Sequence, residues 1–198
     1  MKKNWPIRKL GEISIVGSGN SAPQDPAAFQ DGVFPFFRMS DVGKIRKGHI
    51  SSSVDRINEL WGNKLTKFQK NSILFPKCGA SVYLNHRVMM DVDGYVSSHL
   101  AVITPKEPVV LPVFLLYYLY SVDAADLIQD NDYPTLKISQ ISGISISLPP
   151  LDEQKQIVNF LKGVFDKLDV VKHNAEQSLV WAKELQTQVL AKAFNGEL

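Results

Sequence analysis

Two short segments gather side chains of the kinds that grip and read a polyanion. Lys44, Arg46 and Lys47 stand in one polar turn with His49, and Tyr83-Leu84-Asn85-His86-Arg87 joins an aromatic ring, an amide and a cation. In the DNA major groove Arg and Lys pair with guanine and Asn with adenine, whereas most other contacts go to the phosphate backbone. On this pattern Lys44, Arg46, Lys47, His49, Tyr83, Asn85 and Arg87 are the candidate base-reading side chains. Lys77 precedes Gly79, where the missing side chain lets the backbone approach a phosphate closely. Arg38, and Lys137 at the end of Tyr133-Pro134-Thr135-Leu136-Lys137, complete the candidate DNA contacts.

The charge distribution supports an anionic ligand. Net charge is only +2, but residues 38 to 87 hold ten basic side chains against three acidic ones, a local +7. Residues 88 to 150 hold two lysines against seven acidic side chains, a local −5. Clustered Lys and Arg gain affinity for double-stranded DNA by displacing condensed counterions, and a one-sided field steers encounter. The competing reading is a solvated helix face near Leu60 to Lys70.

Catalytic patterns are weak by comparison. Glu153-Gln154-Lys155 has the Glu-x-Lys form that nucleases use, with Asp130 and Asp132 upstream. Glu153, however, opens a helix directly after two prolines, while metal-dependent nuclease carboxylates converge from neighbouring strands. Leu148-Pro149-Pro150-Leu151 has the wrong outer residues for an amino-methyltransferase loop. Gly43-Lys44 is followed by Ile45, so no phosphate-binding Gly-Lys-Ser/Thr loop is present. Four histidines and one cysteine form no zinc pattern. His99 reads as a core hydrogen-bonding residue and Cys78 as a packed thiol. The expectation is a chain without catalytic residues, metal or cofactor of its own.

The elements that must position these residues read as a mixture. Ile7 to Val16 is a short helix or strand before a Gly17-Ser18-Gly19 turn, Phe34 to Met39 a strand, and Lys44 to Ile50 a basic turn bounded by glycines. Ser53 to Leu65 holds a short helix; Ser72 to Phe75, Ser81 to Leu84 and Ser97 to Thr104 read as strands. Pro112 to Leu127 is the main core helix, and Ile138 to Leu148 a final strand. Irregular alternation of strands and helices predicts an α+β domain over residues 1–150.

A long helix over residues 151–198 follows the proline stop at Pro149-Pro150, with Asp152 placed to cap its first turn. Steps of four and three from Ile157 reach Leu161, Val164, Leu168, Val171, Ala175, Ser178, Ala182, Leu185 and Val189, with only Ser178 polar. So narrow a seam over more than four heptads predicts a coiled-coil edge that pairs with a second copy. Six lysines against seven acidic residues between Leu151 and Leu198 nearly cancel, unlike a DNA-binding basic zipper. Phe165, Trp181 and Phe194 lie off the seam and are candidate anchors for a protein partner.

At these residues a family resemblance appears. Ile146-Ser-Leu-Pro-Pro-Leu-Asp-Glu-Gln-Lys-Gln-Ile157, and the helix ending Leu190-Ala-Lys-Ala-Phe-Asn-Gly-Glu-Leu198, resemble the specificity subunit of type I restriction-modification enzymes. Trp5 to Glu12, Phe34-Pro-Phe-Phe-Arg-Met-Ser-Asp41 and Ile73-Leu-Phe-Pro-Lys-Cys-Gly-Ala80 are similar to further segments of that family, as is Tyr133 to Ile144, where Asp132-Tyr133-Pro134 replaces frequent glycines. The resemblance implies a non-catalytic, sequence-specific DNA-binding subunit that directs methyltransferase and restriction subunits to a bipartite target. S-adenosylmethionine, ATP and Mg would then reside on those partners. Complete members carry two recognition domains and two helices, so this chain resembles a half subunit that reads one half-site.

An antiparallel homodimer through the seam would supply the second reader and call for a palindromic target. The helix bounds the half-site separation at about 19 base pairs, from 1.5 Å per residue and 3.4 Å per base step. The alternative is a coiled-coil dimeric adaptor, or a truncated specificity-gene remnant, without sequence preference. With one cysteine, no signal-like start and no 18-residue apolar run, the chain reads as cytoplasmic, without membrane attachment.

Overall fold

A computed structural model describes residues 4–129 and 133–197. The chain separates into two compact units, Met1–Lys155 and Gln156–Leu198. The architecture is α+β: one sheet-based unit, and one long C-terminal helix.

Among the described residues the strands form three sheets. The largest is five-stranded: β2 (Ser14–Ser18), β9 (Leu100–Pro105), β6 (Ile73–Pro76), β7 (Arg87–Met90) and β4 (Lys47–Ile50), in that spatial order. All neighbours are antiparallel except the parallel pair β4–β7. The central strands read Ile-Leu-Phe-Pro and Leu-Ala-Val-Ile-Thr-Pro, near-continuous apolar runs suited to burial on both faces. Side chains alternate: Leu74, Val88, Val102 and Leu100 join Phe37, Val42, Ile50, Met90 and Val96 in one core cluster. Their alternates Ile73, Phe75, Met89, Ala101 and Ile103 are buried on the other side.

A three-stranded sheet has the order β5 (Arg56–Ile57), β3 (Phe34–Phe37) and β8 (Tyr95–Val96). It packs a second small core of Ala28, Phe36, Ile57 and Tyr95. A β-carbon on Gly32 would collide with the Arg56 carbonyl, so only glycine permits that approach of chain segments. The third sheet pairs β1 (Ile7–Lys9) with β10 (Ser145–Ser147), bringing the start of the chain to the strand that precedes the long helix.

Several sequence expectations are corrected here. Ile7 to Val16 contains both alternatives: β1, then α1 (Leu10–Ile13), then the start of β2. Lys44 to Ile50 is no turn: α2 (Met39–Ile45) runs into it and β4 leaves it, with only Arg46 between. Ser81 to Leu84 lies in a 3-10 helix, Gly79–Leu84, because only Val82 there turns inward. The helix near Leu60 is only α3 (Glu59–Gly62), so Lys64 to Lys70 lie beyond it. Pro112 to Leu127 breaks into α4 (Pro112–Tyr120) and a 3-10 helix, Ala124–Leu127, restarted where Asp123 accepts from the Ala125 amide. Ile138 to Leu148 is α5 (Ile138–Ser142) followed by β10; its period-two pattern begins only at Ile144. His99 is exposed in a turn, not a core residue.

The long helix, α6, spans Leu151–Asn195, 45 residues and about 67 Å. Asp152 is inside its first turn instead of capping it, and salt-bridges Lys155 at 3.2 Å. The residue that ties this turn to the sheet-based unit is Gln154, fully buried. Its Oε1 accepts from the Leu111 amide at 2.8 Å, and its Nε2 donates to the Pro149 and Val109 carbonyls at 2.9 and 3.3 Å. Trp5 Nε1 donates to Glu153 Oε2 at 3.2 Å beside it. The first turn of α6 thus belongs to the Met1–Lys155 unit.

Candidate nucleic-acid interface

Register on the parallel edge brings the two basic segments together. Lys47 pairs with Arg87 and His49 with Met89, and the Arg87 amide donates to the Arg46 carbonyl at 2.9 Å. Arg46 ends α2 with φ +68°, its amide donating to Val42. Lys44, Arg46, Lys47 and His49 are all exposed. Lys47 Nζ lies 5.2 Å from the centre of the Tyr120 ring. Burial pushes the Tyr120 phenol up to about 12, against a smaller opposing hydrogen bond from the Gly48 backbone. His49 Nδ1 is 2.8 Å from Asp91 Oδ1. Among the described residues no carboxylate lies within ion-pairing distance of Lys44, Arg46 or Lys47.

The Tyr83–Arg87 segment divides. Tyr83 is exposed and Leu84 beside it also. Asn85, at φ +52°, closes the 3-10 helix, and its side chain is committed internally. Its Nδ2 donates to Asp123 Oδ1 at 2.9 Å, while its Oδ1 accepts from the Ala124 amide at 2.9 Å. Arg87 is 0% exposed. Its guanidinium carbon sits 3.5 Å from the Phe75 ring centre, and Nη1 donates to the His86 carbonyl at 2.7 Å. Burial lowers its pKa to about 9, with the Asp123 carboxylate acting the other way, so it remains a cation at neutral pH. The expectation that Arg87 reads bases is therefore corrected, since DNA has no access to it. Asn85, half-buried with its amide engaged, holds the Ala124–Leu127 turn. Nothing in the sequence distinguished these two from exposed neighbours except that Arg87 opens the apolar run Arg-Val-Met-Met. His86, also half-buried, has its pKa held below the usual value, first by burial and then by the charges of Arg46 and Arg87.

A third segment joins the second. The Gly79 amide donates to the Pro134 carbonyl at 2.7 Å, the Leu136 amide to the Lys77 carbonyl at 2.8 Å, and Cys78 bridges Thr135. Lys77 and Tyr133 to Lys137, distant in sequence, thus lie on one short ribbon at the mouth of the 3-10 helix. Gly79 sits at φ +66°, a conformation that glycine adopts freely. Lys77 is half-buried; Tyr133 and Lys137 are exposed. Arg38 is elsewhere, on the small sheet: it is ion-paired to Asp55 and lies over the Phe29 and Phe36 rings at 5.6 and 5.2 Å.

On α6, Ile157, Leu161, Val164 and Phe165 are half-buried, whereas Leu168, Val171, Ala175, Ala182, Leu185 and Val189 are exposed. Trp181 is 64% and Phe194 89% exposed. No group of three or more His, Cys, Asp or Glu side chains among the described residues is placed to hold a metal ion. Asp130 and Asp132 lie outside the described residues. No helix among the described residues is long and apolar enough to cross a membrane.

Comparison with known proteins agrees on one group. Residues 2–179 match the model of the type I restriction modification DNA specificity domain. The MjaIX specificity subunit of Methanocaldococcus jannaschii is 30% identical over 99% of this chain and 45% of its own length. The EcoKI specificity subunit of Escherichia coli K12 is 27% identical over 83% of this chain and 37% of its own. Of solved structures, a chain from a type I restriction-modification complex aligns over 100% of this chain and 47% of its own, with TM-score 0.81 and 21% identity. The HsdS subunit of Thermoanaerobacter tengcongensis aligns over 100% and 46%, with TM-score 0.68 and 22% identity. This chain spans less than half the length of these relatives.

Proposed function

The chain belongs to the type I restriction-modification DNA specificity family, and from that premise we propose that it reads one half-site of a bipartite double-stranded DNA target. It acts by recognition and not by catalysis, in the cytoplasm, directing partner methyltransferase and restriction subunits that carry S-adenosylmethionine, ATP and Mg. The observation that carries this reading is the β4–β7 pairing, which sets the unneutralised Lys44, Arg46 and Lys47 beside the Tyr83 loop. The Lys77–Gly79 ribbon with Tyr133 and Lys137 adjoins the same 3-10 helix. Base readout falls to Lys44, Arg46, Lys47, His49 and Tyr83; Lys77 and Lys137 serve the backbone.

One reader per chain requires a second for a bipartite site. The apolar seam from Ile157 to Val189 fits an antiparallel pairing of two copies, and a two-fold pair reads a palindrome interrupted by a fixed gap. Methylation mapping of DNA from cells expressing this chain with its cognate methyltransferase subunit tests the whole proposal. A new gapped palindrome is expected, and it should vanish when Lys44, Arg46 and Lys47 become Ala. An asymmetric motif would replace the homodimer by a pairing with a different specificity chain. No new motif beside a partner active elsewhere would favour the coiled-coil adaptor.

A further inference from the structure

The basic segment holds a second cationic surface, away from the β4–β7 edge, on the small sheet. Four of its cations lie around the Ala28, Phe36, Ile57 and Tyr95 core, and two of those are already satisfied. Arg38 is ion-paired to Asp55. Arg56 donates to the carbonyls of Gly32 and Val33. Lys64 and Lys67 are different: each places its ammonium over an aromatic face, Lys64 4.5 Å from the Trp61 ring centre and Lys67 4.2 Å from that of Phe34. Both are exposed, and neither has a carboxylate within ion-pairing distance among the described residues.

The loop that carries them is fixed from both sides. The Lys64 amide donates to the Trp61 carbonyl and the Leu65 amide to that of Gly62, both at 3.0 Å. Thr66 and Asn20 exchange two bonds of 2.8 Å, Thr66 N–H to Asn20 Oδ1 and Asn20 Nδ2 to the Thr66 carbonyl. Phe68 and Gly94 exchange backbone bonds at 2.8 and 3.0 Å. A ring beneath an ammonium restrains it without cancelling its charge, so much of the entropy of ordering a lysine is already lost before a ligand arrives.

We propose that Lys64 and Lys67 form a preorganised contact site for the phosphodiester backbone of double-stranded DNA, separate from the base-reading loops. This rests on the reading above that the domain binds DNA. Because the ammonium groups already occupy these ring faces, bases cannot stack there, and the contact is one of charge alone. It adds affinity equally to every sequence and none of the discrimination between them.

The test measures binding of the full chain with its methyltransferase partner to a mixed-sequence duplex of about 40 base pairs across a salt series. Two neutralised phosphate contacts contribute about 1.8 to the slope of log K against log salt. Lys64→Gln/Lys67→Gln should flatten the slope by that amount, so that over a fourfold rise in salt it loses about tenfold less affinity than the unmodified chain. Lys64→Met/Lys67→Met keeps unbranched apolar side chains beside the rings, removes the charges and should give the same flattening if the Gln pair folds poorly. Lys64→Arg/Lys67→Arg should retain the original slope, and the methylated motif should be identical in all variants. An unchanged slope in the folded Met pair would reduce these lysines to loop supports and overturn the site alone. Absence of salt-dependent binding by the unmodified chain would overturn the DNA reading itself.

Discussion

Lys47 and Arg87 face one another across the β4–β7 pair, carry the same charge and have opposite exposures. Arg87 is buried where Asn85 and Asp123 are already bonded to each other, and its neighbour His86 is held below its usual pKa first by burial and then by the charges of Arg46 and Arg87. The consequence is a pH dependence with a defined sign. His86 has a lower pKa in the folded chain than the ordinary value of about 6.5, so between the two values the unfolded chain binds more protons. Neutral His86 thus contributes stability that is fully present above about pH 6.5 and is lost as pH falls through the lowered folded value. Denaturant melts from pH 7.5 to 5 should show this decline, and His86→Gln should make it shallower; identical pH profiles would remove the assignment. The +7 cluster itself was legible from the sequence because charge is a property of residue type. Which of its members face solvent was not, because it is set by strand order: Lys47 lies on the edge strand β4, whereas Arg87 lies on the inner strand β7 and packs over the Phe75 ring.

At the scale of elements, the first turn of α6 is fixed by one buried amide. Gln154→Ala would leave the Leu111 amide and the Val109 and Pro149 carbonyls without this partner, at a cost of about 2–3 kcal/mol to the Met1–Lys155 unit. Urea unfolding followed at the tryptophans measures this; a change within about 0.5 kcal/mol, the scatter typical of neutral surface substitutions, would count against it. The helix start is legible in the sequence to within a residue, because prolines at 149 and 150 cannot lie inside it. The role of Gln154 is not legible there, since a glutamine in a polar first turn gives no sign of burial. Ser81 to Leu84 and Ile138 to Leu148 have strand-like patterns, but short apolar alternations fit a 3-10 or α-helical turn equally well, and neighbours decide between them. Farther along α6, the proposed pairing of two copies predicts that the unmodified chain is a dimer in light scattering and that Leu161→Asp with Leu168→Asp makes it a monomer while leaving the fold of the first unit intact.

For the whole molecule, the exposed Trp181 is a candidate anchor for a protein partner beyond the proposed pairing of two copies. Large exposed aromatics often anchor interfaces, with truncations weakening binding by about 2 kcal/mol or more, roughly thirtyfold. Trp181→Ala should therefore reduce co-purification of the methyltransferase subunit while leaving the melting of the sheet-based unit unchanged; full recovery of the complex would remove Trp181 from that surface. Sequence alone determined the long helix, its seam, the excess of positive charge before residue 88 and the family resemblance. Each is carried by local residue order, through heptad spacing, proline stops and the identity of ionisable groups. Tertiary structure decided what those residues do together. Parallel pairing of β4 with β7 set Lys47 against residue 87, the Cys78–Thr135 bridge joined two distant segments, and packing hid Arg87 while leaving Lys64 and Lys67 on their rings. These are contacts between residues far apart in the chain, where burial and hydrogen-bond satisfaction select among arrangements that local spacing leaves equally open.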